Sequence, residues 1–392
     1  MQPAFDIGVL AGPTALIFLA VLVAAWRITR SPWLTCCLAV TKAGVFLIYY
    51  GWGFDGSFTF LDDWTYLERG SALHAEGVGL GNVIDSLPLL LAAGEGNHFL
   101  YYLHNAVAID WFGDGYYAPV AMNVLTSVAI AWLATRLVLA ERLCPARSAA
   151  LYFSFILLHP DITAWSTVMN GKDTLVLLLH VLLLTAVSFF LRGWRWRALL
   201  LAAGTVGVLL FLRFYVPLMF ALALAITAAL QVRGATRWRL LGLSLVGLAG
   251  LAWNLGSEGI GFVRETLLAD LVNPLEGFLR FLLTPIPFNT EPAYAFLNFP
   301  ALLHWLLMPA TLLGVWQTYR FGTPFARYLV TYAAVFAALY AVYGELQGPR
   351  HRLQLDFAWA TFQFVGLRAA LRLASMKRNG HRPHALNPGT PV

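Results

Sequence analysis

Two adjacent carboxylates, Asp62 and Asp63, stand in the segment FTFLDDWTYLERG, followed at once by Trp64 and Tyr66. One such carboxylate can act as general base toward a hydroxyl acceptor. The pair can also hold a divalent cation, Mg or Mn, through hard oxygen ligands. A plainer part fits as well, with Asp62 capping a short helix. Four cations complement the acids. Lys172 lies in MNGKDTLVLLL, at the start of a long apolar run. Asn170 can cap that helix, Gly171 lets a ligand approach, and an ammonium beside free helix N–H groups makes a phosphate site. By itself a cation at a helix N-terminus is unfavourable, unless Lys172 snorkels to headgroups or pairs with Asp173.

Arg213 interrupts the apolar run from Ala198 to Leu230. As one helix that run would be about 50 Å long, too long for a bilayer core of about 30 Å. A hairpin breaking near Arg213 and Pro217 puts the guanidinium at membrane depth, where it needs an anion. A substrate phosphate and an internal acid both qualify. In GELQGPRHRLQLDF, Arg350 and Arg352 flank His351. If Pro349 keeps the segment extended, both arginines point the same way and can grip a diphosphate; otherwise they are lipid anchors. His98 and His104 share the loop of the acid pair but lack metal-ligand spacing. His159 and Asp161 occupy a turn and can contact an acceptor, as can Trp64, Tyr66, His98 and His104. His180 and His304 read as packed core, and Lys42 as a buried pair member or a snorkelling lysine. No HExxH, P-loop, GxGxxG or CxxC occurs, so nucleotide and soluble cofactor chemistry have no support.

The elements that position these groups are membrane helices. Of 392 residues 59% are hydrophobic and 12% charged, against about 25% charged in soluble domains. The expected fold is all-α: a polytopic membrane protein of about eleven transmembrane helices, near 8–26, 34–53, 116–139, 148–164, 174–191, 198–212, 216–231, 239–254, 300–317, 328–344 and 353–371. The first reads as an uncleaved span, since no basic n-region precedes it. Basic residues gather in alternate loops, which places the N-terminus outside and the C-terminus in the cytoplasm. Of the 20 acids only Glu141 then falls in an inner loop. Residues 1–376 read as a single transmembrane domain with outer loops at 54–115 and 255–299, and 377–392 as a disordered cytoplasmic tail. The first loop is expected to carry amphipathic interfacial helices. The net charge of +6 reflects topology, so no nucleic-acid partner is expected; membrane lipids are. Three cysteines imply no disulfide framework.

The order of these motifs resembles the GT-C class of integral membrane glycosyltransferases. An acidic motif opens a long first outer loop. DWFGDGYYAPVAMNVLTSVAIAWLATRL is similar to the family's entry into the next span. LLHPDITAWSTVMNGKDTLVLLL, LLFLRFYVPLMF and GPRHRLQLDFAW are similar to later segments that carry basic residues. The resemblance covers most of 50–370. It implies transfer of a sugar from a polyprenyl-phosphate or diphosphate donor to a glycan, lipid or protein acceptor at the periplasmic face of a bacterial inner membrane. Asp62 or Asp63 would be the base, and Lys172, Arg213, Arg350, His351 and Arg352 would hold the donor phosphate. The chain departs from the family in an additional span before the acidic loop and in lacking a clear second acid motif. A polymerase or ligase of lipid-linked glycans, a lipid-glycan flippase or transporter, and an assembly or anchoring subunit without chemistry are the other readings. A flippase would show polar residues along several mid-spans, where only Lys42 stands out.

Overall fold

The computed structural model describes residues 4–58, 61–94, 98–213, 215–231 and 273–378. In chain order its helices are α1 (Ile7–Thr29), α2 (Pro32–Ile48, continued by a π-helical turn, Tyr49–Gly53), α3 (Leu61–Ala75), α4 (Leu87–Ala93), α5 (Phe99–Phe112), α6 (Tyr117–Ala140), α7 (Ala149–Leu157), α8 (Pro160–Val168), α9 (Asp173–Leu191), α10 (Arg195–Leu212), α11 (Tyr215–Gln231), α12 (Pro274–Leu283), α13 (Asn298–Arg320), α14 (Pro324–Val342), α15 (Pro349–Leu353) and α16 (Asp356–Arg378). No strand occurs among the described residues. Among the described residues seven helical segments are long and apolar enough to cross a bilayer: α1, α2 with its π turn, α6, α9, α10, α13 with the turn before it, and α14. The chain is therefore embedded in a membrane.

The expected count of about eleven is not reached among the described residues. The span expected at 148–164 is two short helices. Pro160 disfavours a helical residue before it, so α7 ends and Pro160 opens α8 as its first residue. The run at 216–231 folds as the apolar helix α11, whose described part ends at Gln231. The last expected span becomes α15 and α16. The first half of α16 is buried in protein and carries Thr361 and Gln363, so it does not read as a lipid-facing helix. The span expected at 239–254, most of the second loop and the tail from 379 lie outside the described residues.

Two close crossings lock the bundle. A Cβ on Gly366 would lie 1.8 Å from the Ala310 carbonyl oxygen, and one on Gly314 would lie 1.8 Å from that of Phe362. Glycine lets α13 and α16 touch along their backbones, as small residues do between membrane helices. Likewise a Cβ on Gly70 would stand 2.4 Å from Asn105 Cβ, so α3 lies directly on α5. This changes the expected picture of the first loop. The α4 helix does turn Leu87, Leu89 and Leu91 outward, but α5 is a core helix that buries Tyr101, Leu103, Ala106 and Ile109. Tyr328, Tyr332, Phe336 and Tyr340 recur every fourth residue of α14 and form one buried stripe. His180 joins it through a 2.7 Å bond to the Tyr332 hydroxyl, the packed role its sequence position suggests.

Candidate functional site

Asp173, the first residue of α9, is the hub of the polar end of the bundle. A helix N-terminus favours a carboxylate, and this one is buried. Its Oδ1 accepts from Arg213 Nη2 at 3.0 Å and from Gln354 Nε2 at 2.9 Å, while Oδ2 accepts from Arg350 Nε. Arg350 also donates through Nη1 to Asp62 Oδ2 at 2.9 Å. Arg213 sits where the chain breaks between α10 and α11. Its anionic partner is thus an internal acid.

Lys172 precedes the hub and is 3% exposed. Its Nζ lies 2.7 Å from His98 Nδ1 and 5.8 Å above the Tyr66 ring. No carboxylate among the described residues comes within ion-pair distance of it. Burial, and then the charge of Arg213, push its pKa down to about 7. Burial and the charge of Lys172 push His98 down to about 4. The imidazole is therefore neutral, and its Nδ1 lone pair accepts from the ammonium. Asp62 is half-exposed. Burial alone would raise its carboxyl, but the hydrogen bond and charge of Arg350 hold it below the ordinary carboxylate range. Asp62, Tyr66, Trp165, Asn170, Asp173 and Arg350 line a cleft of only about 10 Å³. Ligand pockets run to about 300–1,000 Å³, so the cleft as it stands is too small for a substrate.

A buried network fixes the Asn170–Gly171 turn that presents Lys172 and Asp173. Asn170 Nδ2 donates to Asn105 Oδ1 at 2.7 Å and to the Asp63 carbonyl at 3.0 Å. Its Oδ1 accepts from the Tyr101 hydroxyl at 2.9 Å, and its N–H donates to the Tyr116 hydroxyl at 3.0 Å. Asn123 Nδ2 donates to the Tyr101 hydroxyl and to the Gly171 carbonyl. Asn170 does not cap α9, as its sequence position suggests; its side chain is used here.

The structure separates residues that the sequence groups together. Asp62 and Asp63 diverge. The Asp63 carboxylate is buried and accepts from the Tyr116 hydroxyl at 2.7 Å and the Trp64 N–H at 2.9 Å. The two carboxylates are therefore engaged by different partners, Asp62 by Arg350 and Asp63 by Tyr116. Arg350 and Arg352 also diverge. Pro349 opens a helical turn, its favoured first position, and residues two apart on a helix point about 200° away from each other. Arg352 faces the Leu282 and Thr284 carbonyls and Asp161, away from Asp173. It does not join Arg350 in a diphosphate grip. His351 is buried against Tyr340, with no hydrogen-bond partner among the described residues for either ring nitrogen. His104 stacks on Tyr101, and Trp64 packs on Tyr116. His159 and Asp161 are buried in a second cluster. Lys42 is buried and donates to Thr163 Oγ1 at 3.2 Å.

The sequence did not single out Gln354, Asn105, Asn123 or Tyr101, and it named Asp173 only as a neighbour for Lys172. An acid directly after a lysine at a helix start was the available signal. No family model, curated protein or solved structure matches the chain.

Proposed function

We propose that the chain is a membrane glycosyltransferase. It would move a sugar from a polyprenyl-phosphate or diphosphate donor to an acceptor at the outer face of a bacterial cytoplasmic membrane, in cell-surface glycan assembly. The observation that carries this reading is the gathering of Lys172, Arg213 and Arg350 about two carboxylates, Asp62 and Asp173, at the polar end of the bundle. Arg213 and Arg350 are paired with these acids, whereas Lys172 has no carboxylate partner among the described residues. Such a site favours an arriving anion. The resemblance of the motif order to the GT-C class supplies the sugar and the lipid.

The donor phosphate takes the place of Asp62 on Arg350 Nη1, and Lys172 binds a second oxygen. Asp62, released, accepts the proton of the acceptor hydroxyl. The acceptor oxygen bonds to the anomeric carbon as the bond from that carbon to the phosphate oxygen breaks. The departing electron pair stays on the phosphate, where fixed cations stabilise it. The sugar passes through an oxocarbenium-like state, and in-line attack inverts the anomeric configuration. Asp62 is the base in preference to Asp63, whose carboxylate is committed to Tyr116 and Trp64.

The test uses the full chain in proteoliposomes with radiolabelled polyprenyl-phosphate hexose and pentose donors. Binding of a donor that is weakened at least tenfold by Lys172→Gln is the expected result, together with label transfer that Asp62→Asn abolishes. A wild-type chain that binds no polyprenyl phosphate would overturn the reading. Full transfer by Asp62→Asn would remove the base.

A further inference from the structure

We propose that His159, Asp161 and Asp356 hold a divalent transition-metal ion, Mn²⁺ or Zn²⁺, at a buried site separate from the Asp62 cleft. The three residues are 3%, 3% and 1% exposed. One ligand atom from each lies within 4.8 Å of the others. A metal about 2.1 Å from each ligand separates ligand atoms by about 3–4 Å, so only a small inward movement is needed. Asp161 sits in the first turn of α8 and Asp356 in that of α16, where the helix dipoles favour ionised carboxylates.

The bonding of the cluster points to a ligand. Asp161 Oδ1, Asp356 Oδ2 and His159 Nδ1 are buried and have no hydrogen-bond partner among the described residues. Leaving a buried polar atom unsatisfied costs about 1–3 kcal/mol, and more for a charged one. A shared proton could bridge two of these three lone pairs, whereas a cation satisfies all of them. His159 Nε2 lies 2.9 Å from Gln363 Oε1. With its proton there, Nδ1 is left bare, the outer partner fixing the tautomer as it does for metal-bound histidines. Arg352 does not fill the site. It donates to the Leu282 and Thr284 carbonyls, and its Nη2 stays 3.8 Å from Asp161 Oδ1. Two carboxylates and a divalent ion make a neutral unit beside it. One imidazole with two carboxylates suits Mn²⁺ or Zn²⁺.

The experiment is a metal count on the full-length protein in detergent. The chain is stripped with EDTA, equilibrated with Mn²⁺ or Zn²⁺, passed through gel filtration and analysed by mass spectrometry for metal. About one equivalent should stay with the wild type, and at least tenfold less with Asp356→Asn and His159→Gln. The added ion should also raise the unfolding temperature of the wild type alone. Wild-type protein that retains neither ion above the stripped level overturns the proposal and leaves a proton shared by Asp161 and Asp356. Retention by the variants equal to the wild type overturns it too, by placing the ion elsewhere.

Discussion

Asp62→Asn and Asp173→Asn should have opposite signatures, although both remove a carboxylate from Arg350. The Asp62 side chain is 53% exposed, and Arg350 keeps Asp173 when it is lost. An ion pair so open to water contributes about 0–1 kcal/mol. Asp173 is 2% exposed and serves Arg213, Arg350 and Gln354 at once. Its neutralisation leaves the buried Arg213 without a counterion and Arg350 with only the exposed Asp62, and breaking a buried pair on one side costs about 3–5 kcal/mol. Thermal unfolding in detergent should therefore barely move for Asp62→Asn and fall clearly for Asp173→Asn. Transfer activity should fall about 10²–10⁴-fold for Asp62→Asn, the usual worth of a general base, while the protein stays folded. If Asp62→Asn melts as early as Asp173→Asn, Asp62 is a member of a structural ion pair and the proposed role fails.

Other expectations follow from the same geometry. Burial holds the Lys172 pKa near 7, and a bound anion should raise it again. Binding then takes up a proton above pH 7, so affinity for a polyprenyl-phosphate sugar should decline with rising pH by up to about tenfold per unit and stay flat below. Titration calorimetry at several pH values reads this, and Lys172→Gln should abolish the slope. Gly366→Ala places a methyl group 1.8 Å from the Ala310 carbonyl oxygen. It should destabilise the bundle by about 1–3 kcal/mol, as overpacking does; an unchanged melting curve would mean that α13 and α16 lie farther apart. Tyr116→Phe removes a donor from the buried Asp63 carboxylate and an acceptor from the Asn170 N–H. A loss of about 1–3 kcal/mol is expected, measured by thermal unfolding.

Membrane embedding was legible because apolar runs of sufficient length have few other uses. The break at Arg213 was legible because no single bilayer helix could hold the whole run. Partners of charged residues were harder to read. Arg213 needed an anion at depth, and sequence left phosphate and acid open; only folding put the start of α9 beside the end of α10. The divergence of Asp62 from Asp63 follows from the Gly70–Asn105 approach and from Tyr116, a residue 53 positions away from Asp63. Pro349 was ambiguous in principle, since proline suits both an extended segment and the first residue of a helix. The choice reversed the expected direction of Arg352. The separation of α7 from α8 could have been read from Pro160, but the hydropathy of the run masked it.

The short α15 joins the two buried acid groups. A five-residue helix has no stability of its own, so its position is set by what its ends hold. Arg350 ties it to Asp173 on α9, and Arg352 ties it to the Leu282 and Thr284 carbonyls at the end of α12, beside Asp161 on α8. Arg352 never faces the cleft, yet it fixes the backbone that aims Arg350. Arg352→Gln should therefore impair donor handling from a distance. A displacement of about 1 Å in a positioning group can cost about 10²-fold in rate, and with Arg350 as a phosphate ligand the donor KM should rise along with the fall in kcat. Arg352→Lys, which keeps the charge and can still reach a carbonyl, should recover part of the loss. Were Arg352→Gln to lower the unfolding temperature while leaving donor KM and kcat unchanged, α15 would be anchored by Arg350 alone, and the two acid groups would be mechanically independent.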